Sequence, residues 1–144
     1  MNGLCLRSTV SITRLTKREW FSTNAMPIDP QAELLLLKSA EDRECLSYPL
    51  PSASFGFHAQ QAIEKLLKAL ISARGETYPF IHDLEKFHIQ LVNAGEVFPE
   101  IQPYAVLLRY DTAKDLDDVD RRRFIETVDV LRQWVVVRIA VLSA

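Results

Sequence analysis

The sequence predicts an all-α fold, an antiparallel up-and-down bundle of four to five helices. Three observations favour it. Apolar residues recur at spacings of three and four, which stacks side chains on one helical face. Prolines and glycines divide these stretches, so that the connections are short. The chain lacks an internal repeat and a hairpin turn signal, and its 144 residues suit a single domain.

The first helix is predicted from Ala32 to Leu46. It follows Asp29-Pro30, and aspartate is a favoured N-cap while proline suits the first helical position. Leu34–Leu37 are apolar all round, which predicts burial on more than one side of this helix. The prolines within 48–52 end it, with Ser52 as the expected cap of the next helix.

The second helix, from Ala53 to Arg74, gives the strongest signal. Its main stripe is Phe55, Ala59, Ala62, Leu66, Ala69 and Ala73. Glu64 and Lys68 form an i,i+4 pair in the favourable order, and Gly75 supplies the C-terminal stop. The polar residues His58, Glu64, Lys65 and Lys68 are expected on the exposed surface.

Three further helices are predicted. One runs from about His82 to Ala94, with Asp83 in its first turn and Gly95 at its end. The next covers roughly 102–110, and the acidic stretch 111–120 forms a loop. The last runs from about Val119 to Leu142, where periodicity and length outweigh the strand preference of the valines. The expected inner residues are Leu84, Phe87, His88, Leu91 and Val92 on the third helix, and Tyr104, Val106 or Ala105, Leu107 and Leu108 on the fourth. On the last helix they are Phe124, Val128, Leu131, Val135 and Leu142, with Trp134, Val137 and Val141 beside them.

Charge is unevenly distributed along the chain. The formal net charge is −2, yet residues 1–25 hold four basic and one acidic side chain. The remaining residues carry a net charge of −5, so charge alone does not make this domain a general nucleic-acid binder. Arg121–Arg123 form a local basic cluster, for which a solvated face and phosphate contact are alternatives. No apolar run reaches the length of a membrane span, and a cytoplasmic location is expected.

No cofactor and no metal ion are predicted. The two cysteines and three histidines lack the spacing of a zinc site, and His82 and His88 are six residues apart. A glycine-rich phosphate loop, a serine nucleophile elbow and an HExxH motif are also missing from the sequence.

The N-terminal segment, residues 1–28, is expected to lie outside the helical domain of residues 29–144. It is rich in Ser, Thr and Arg and lacks a clean apolar periodicity. Three alternatives remain open: an upstream extension with Met26 as the true start, a disordered tail, or an organellar transit peptide.

Three sequence elements resemble a known family. Phe57–Leu70, with the sequence FHAQQAIEKLLKAL, resembles the signature helix of HEPN domains, which carries Gln-Gln-Ala, Glu-Lys and Lys-Ala in this order. His82-Asp83-Leu84 resembles the His-Asp-Leu that opens the family's third helix. Leu108-Arg109-Tyr110 resembles the Arg-Tyr element near the end of its fourth. The resemblance covers about residues 29–142.

This resemblance implies a bundle of four or five helices that is usually dimeric. Catalytic HEPN members are metal-independent ribonucleases. Their site is an arginine followed, after four to six residues, by a histidine, and it is assembled across the dimer interface. Family members are often paired with small nucleotidyltransferases as halves of toxin–antitoxin modules.

The resemblance makes Arg109 the candidate catalytic arginine. Positions 114–116 hold Lys, Asp and Leu, so the histidine is missing, and a lysine is a poor proton acceptor at neutral pH. We therefore expect a catalytically incomplete protein with Arg109, Lys114, His58 and Lys65 as nucleotide- or RNA-binding candidates. From spacing alone, Arg109 could instead pair with Asp111 or Asp115.

The expected function is that of a dimeric component associated with nucleotide or RNA, acting with a nucleotidyltransferase partner. One alternative is a ribonuclease toxin that uses Arg109 with an unusual base, His58 or His82, brought in by folding. That alternative requires one of the two histidines within hydrogen-bond reach of Arg109, either in the same copy or across a dimer. The other alternative is an interaction module without a nucleotide role.

Overall fold

Five helices make up the bundle in the residues that the computed structural model describes, which are 29–101, 104–111 and 114–143. No strand occurs among these residues, and the all-α prediction is confirmed. The helices are α1 (Pro30–Cys45), α2 (Ser52–Ala73), α3 (Leu84–Asn93), α4 (Tyr104–Leu108) and α5 (Asp118–Ser143). None of them combines the length and apolar character needed to span a bilayer. The predicted N-terminal extension, residues 1–28, lies outside the described residues.

The N-terminus of α1 is fixed by Asp29, as predicted. Its Oδ2 accepts hydrogen bonds from Ala32 N (2.9 Å) and from the hydroxyl of Ser72 (2.6 Å) near the end of α2. The cap therefore stabilises α1 and also ties it to its neighbour. Gly75 and Gly95 follow α2 and α3 with φ of 76° and 102°, a conformation that suits glycine at a helix end.

Helix α2 is the centre of the bundle and packs against α1, α3 and α5. Its buried alanines Ala59, Ala62 and Ala69 are fully inaccessible, and their small side chains let neighbouring helices approach closely. Ser39 of α1 uses this closeness, since its hydroxyl donates to the Ala62 carbonyl at 2.7 Å. The predicted stripe of α2 is therefore confirmed as a core face.

Several helix boundaries differ from the predictions. Ser52 is the first residue of α2 and not its cap, and Pro51 in the cap position makes no side-chain bond. The Ser52 hydroxyl accepts instead from Leu116 N at 3.0 Å, which joins α2 to the loop before α5. Helix α3 begins only at Leu84, because the carboxylate of Asp83 caps it, so His82 precedes the helix.

The exposed and buried faces also differ from the predictions, and Val106, Val137 and Val141 are exposed. Val92 and Leu142 are 46% and 38% exposed, because no described element covers their side of α3 or the last turn of α5. Leu34 is 45% exposed, so the leucine run of α1 is not buried on every side. Glu64 was expected on the surface but is only 2% exposed, because Lys68 and His82 cover its carboxylate.

A buried ionic triad joins the ends of α2 and α3 to α5. Glu96 follows α3, and its side chain is 2% exposed. It accepts from Arg138 of α5 at 2.7 and 3.1 Å and from Arg74 at the end of α2. Arg74 also donates to the Ala94 carbonyl at 2.8 Å. These bonds, chiefly those from Arg138, hold the pKa of Glu96 below its usual value.

Candidate functional site

An open cavity of about 650 Å³ lies between α2, the segment before α3 and the end of α4. Every residue that lines it belongs to one of three short segments, which are 57–64, 82–84 and 108–110. These segments fall within the three elements that the sequence singled out. The fold therefore brings all three elements to one place, although up to 53 positions separate their members along the chain.

Helix α2 forms one wall of the cavity. Phe57, Gln60, Gln61 and Glu64 are spaced by three, one and three residues, which puts their side chains on one helical face. Gln60 Nε2 donates to the carbonyl of Tyr110 at 2.8 Å. That bond fixes the end of α4 against α2 and so positions the residue before it, Arg109.

The beginning of the short helix α4 is held by an aromatic cluster. The Tyr104 hydroxyl and Nδ1 of His88 are hydrogen-bonded at 2.9 Å, and Phe98 packs on His88 with ring centroids 4.5 Å apart. The ring of Trp134 on α5 also packs on Phe98, with centroids 4.6 Å apart. Burial lowers the pKa of His88 and raises that of Tyr104, so both rings are neutral near pH 7.

Tyr110 anchors the end of α4 by packing on a glycine of α2. Its ring lies against Gly56, where an added Cβ would sit 2.3 Å from Cε1. The ring also meets Phe124 edge-on, with centroids 5.2 Å apart, and its hydroxyl donates to the Lys114 carbonyl at 3.1 Å. Glycine is therefore favoured at position 56 because the Tyr110 ring leaves no room for a Cβ atom. Its backbone angles do not require glycine.

We expect Gly56→Ala to reduce the free energy of unfolding by about 1 kcal/mol. Alanine improves helix propensity by up to about 1 kcal/mol. Overpacking a buried ring costs about 1–3 kcal/mol, which outweighs that gain. Urea unfolding measures the change, and Ser54→Ala on the same turn is the control, expected within about 0.5 kcal/mol of wild type. A Gly56→Ala protein more stable than wild type would contradict this packing.

A hydrogen-bonded network surrounds Glu64 at the floor of the cavity. Its carboxylate accepts from Lys68 Nζ at 2.7 Å and from Gln61 Nε2 at 3.3 Å. His82 Nδ1 lies 3.1 Å from the same carboxylate, while the His82 side chain is 81% exposed. With the proton on Nδ1 donated to Glu64, Nε2 is the ring nitrogen that can accept a proton from a ligand.

Arg109 stands at the rim of the cavity with its side chain 74% exposed. Its Nη2 and Nε donate to the two carboxylate oxygens of Glu85 at 2.7 and 3.1 Å. This pairing holds the pKa of Glu85 below its usual value and raises that of Arg109. Spacing alone offered Asp111 or Asp115 as partners, but α4 ends beside α3 and directs the Arg109 guanidinium towards Glu85.

The other predicted binding residues lie apart from Arg109. His58 and Lys65 are on the side of α2 that faces α1, where both bind Asp42, His58 at a distance of 2.9 Å. Lys114 is exposed and does not line the cavity. Neither His58 nor His82 hydrogen-bonds to Arg109 in this chain, but His82 shares the cavity with it.

The sequence missed Phe57 and Glu85 as members of the site, and it favoured surface ion pairing over a site role for Glu64. Phe57 and Glu64 were within the segment already singled out, at helical spacing from Gln60 and Gln61, and that spacing was the available signal. No signal in the sequence indicated Glu85, because its pairing with Arg109 depends on how α3 and α4 meet. Among the described residues, no group of His, Cys, Asp and Glu could hold a metal ion.

Comparison with known protein families gives a match. The family model of the HEPN domain matches residues 51–139, which is more than half of the chain and includes every residue that lines the cavity. No curated protein and no solved structure matches the chain.

Proposed function

Because the chain belongs to the HEPN domain family, we propose that the cavity beside Arg109 binds the phosphate of a nucleotide or of RNA. The protein is a dimeric, catalytically incomplete member of the family. It acts in a toxin–antitoxin-like module with a nucleotidyltransferase partner.

One observation carries the proposal, namely the convergence of three separate sequence elements on a single open cavity with Arg109 at its rim. A guanidinium presents a planar fork of N–H groups that matches phosphate oxygens as it matches a carboxylate. Arg109 already holds a carboxylate, that of Glu85, in this two-bonded manner. A phosphate can therefore replace Glu85 without a change in the geometry of the arginine.

Two features support catalytic incompleteness and dimerisation. Positions 114–116 provide no histidine after Arg109, so the family's proton acceptor is missing from its usual place.

On α5, Val130, Val137 and Val141 are 45%, 50% and 56% exposed. Their spacings of seven and four put them in one row, which suits a helix of a second copy.

Incubation of the purified protein with labelled RNA tests this proposal. We expect binding that depends on Arg109 and no cleavage. RNA cleavage that is lost in Arg109→Ala would contradict the catalytically incomplete function. Sedimentation analysis tests the dimer, which Val137→Asp is expected to dissociate.

The Glu64–His82 contact favours a second candidate function, a metal-independent ribonuclease. A histidine held through Nδ1 on a buried carboxylate is oriented to accept a proton at Nε2. His82 would take the proton of an RNA 2′-hydroxyl as its oxygen attacks phosphorus, and the departing 5′-oxygen would take a proton from water. Cleavage lost in His82→Ala but kept in His58→Ala would favour this function over the first.

We expect Glu85→Gln to raise the affinity for phosphate ligands by roughly two- to fivefold. Glu85 competes with the ligand for Arg109, but an exposed ion pair is weak, which limits the gain. Calorimetric titration with ribose 5-phosphate measures the effect. Glu126→Gln, which removes an exposed carboxylate of α5, is the control for net charge. Equal affinity of both variants would mean that Glu85 does not compete.

A further inference from the structure

We infer that the cavity takes a whole nucleotide unit, with its base stacked on Phe57 and its phosphate on Arg109. This inference rests on the proposed phosphate site and names the rest of the ligand. The shared chemistry is a nucleoside monophosphate, either free or as part of single-stranded RNA.

Phe57 provides an aromatic surface inside the cavity. Its side chain is half exposed (51%), whereas Phe55 and Ala59, two residues before and after it, point into the core. His58 packs against its ring at a centroid distance of 5.4 Å and an interplanar angle of 73°, which restrains the orientation of the ring. A restrained, solvent-accessible aromatic ring is the usual platform for an unstacked base.

The charges of the cavity favour a ligand that also makes an uncharged contact, such as a base stacked on Phe57. Arg109 is the only arginine or lysine among the lining residues, whereas Glu64 and Asp83 are both carboxylates. Lys68 offsets the charge of Glu64, but Glu85 already occupies Arg109. A bare phosphate therefore gains little from net attraction here. Affinity has to come from a part of the ligand that is not charged, and the exposed ring of Phe57 is the surface available for it.

The size of the cavity agrees with a ligand larger than phosphate. Its volume of about 650 Å³ lies within the range of roughly 300–1,000 Å³ that small-molecule sites occupy. Phe57 is on the second turn of α2, while Arg109 comes from beyond α4, so the aromatic ring and the guanidinium border the same space from different elements.

Titration of the full chain with ribose 5-phosphate, AMP and a short oligoadenylate tests the inference. Removal of a stacking ring weakens binding by roughly five- to 150-fold, so Phe57→Ala should lose this much affinity for AMP and none for ribose 5-phosphate. Phe80→Ala is the matched control, since Phe80 is fully exposed and does not line the cavity. Tighter binding of the oligonucleotide than of AMP would identify single-stranded RNA as the ligand. Equal binding of the two would identify a free nucleotide as the ligand.

A direct readout comes from Phe57→Trp. AMP should quench the fluorescence of the new tryptophan, and ribose 5-phosphate should not. The absence of quenching would overturn the stacking, as would unchanged AMP affinity in Phe57→Ala. If Phe57→Ala instead altered the oligomeric state without quenching in Phe57→Trp, the ring would face a second copy, and the inference would be wrong. Failure of Arg109→Ala to weaken any of the three ligands would overturn the proposed function itself.

Discussion

Replacement of Glu96 by glutamine is expected to lower the free energy of unfolding by about 2–3 kcal/mol. Removal of one partner from a buried ion pair costs about 3–5 kcal/mol, because the remaining charge stays buried without compensation. Here the remaining charges are Arg74 and Arg138, whose side chains are 20% and 33% exposed, so water recovers part of the loss. The NH₂ group of the glutamine also cannot accept a hydrogen bond, although both neighbouring guanidinium groups are donors.

The control for this prediction is Glu76→Gln. Glu76 binds the same arginine, Arg74, at 2.8 Å, but its side chain is 36% exposed. An exposed pair contributes at most about 1 kcal/mol, so this variant should unfold nearly as wild type does. Equal losses in the two variants, measured by urea unfolding, would mean that burial of Glu96 has no special role.

The triad also predicts a dependence on pH. The pKa of Glu96 is lower in the folded protein than the ordinary value of a glutamate carboxyl group, about 4.5. A carboxyl group whose pKa is depressed on folding stabilises the protein above the unfolded pKa, and this stability is lost as pH falls through the folded pKa. The stability difference between wild type and Glu96→Gln should therefore shrink below about pH 4.5. A difference that stays constant from pH 7 to pH 3 would contradict the ionic role of Glu96.

Replacement of Arg109 by alanine is expected to weaken the binding of nucleotides or RNA by roughly ten- to a hundredfold, because two charge-assisted hydrogen bonds to phosphate are lost. The fold should be unaffected, since Arg109 is 74% exposed and its pairing with Glu85 lies at the surface. Lysine at this position should restore part of the affinity, as it keeps the charge but loses the fork.

Arg122→Ala is the matched control for Arg109→Ala. Arg122 is an exposed arginine in the basic cluster 121–123 at the beginning of α5, away from the cavity. Titration at several salt concentrations adds a second measure, because the loss of one phosphate contact should reduce the salt dependence by about one unit of slope. If Arg122→Ala weakened binding as much as Arg109→Ala, the ligand would bind to the basic cluster.

Local signals in the sequence predicted the helices, the cap at Asp29 and the core face of α2. These features depend on residues close together in the chain, and spacing records them directly. The resemblance to HEPN domains rested on short elements, and the family match and the cavity they form agree with it.

Side-chain contacts between segments far apart in the chain could not be predicted from the sequence. The burial of Glu64 follows from the approach of His82, which is 18 residues further along. The pairing of Arg109 with Glu85 spans 24 residues and follows from the meeting of α3 and α4. Periodicity could not distinguish these partners from nearer ones such as Asp111. The sequence pattern also treated His58 and Lys65 as part of one polar surface with Glu64, whereas α1 holds them at Asp42.

We propose that the cavity formed by the three sequence elements is the ligand site. Mapping of backbone amide chemical shifts during titration with AMP tests it most directly. We predict that the largest changes fall on Phe57, Gln60, Gln61, His82 and Arg109 and saturate together. Changes that cluster at Arg121–Arg123 instead, or no saturating change in the cavity, would contradict the claim.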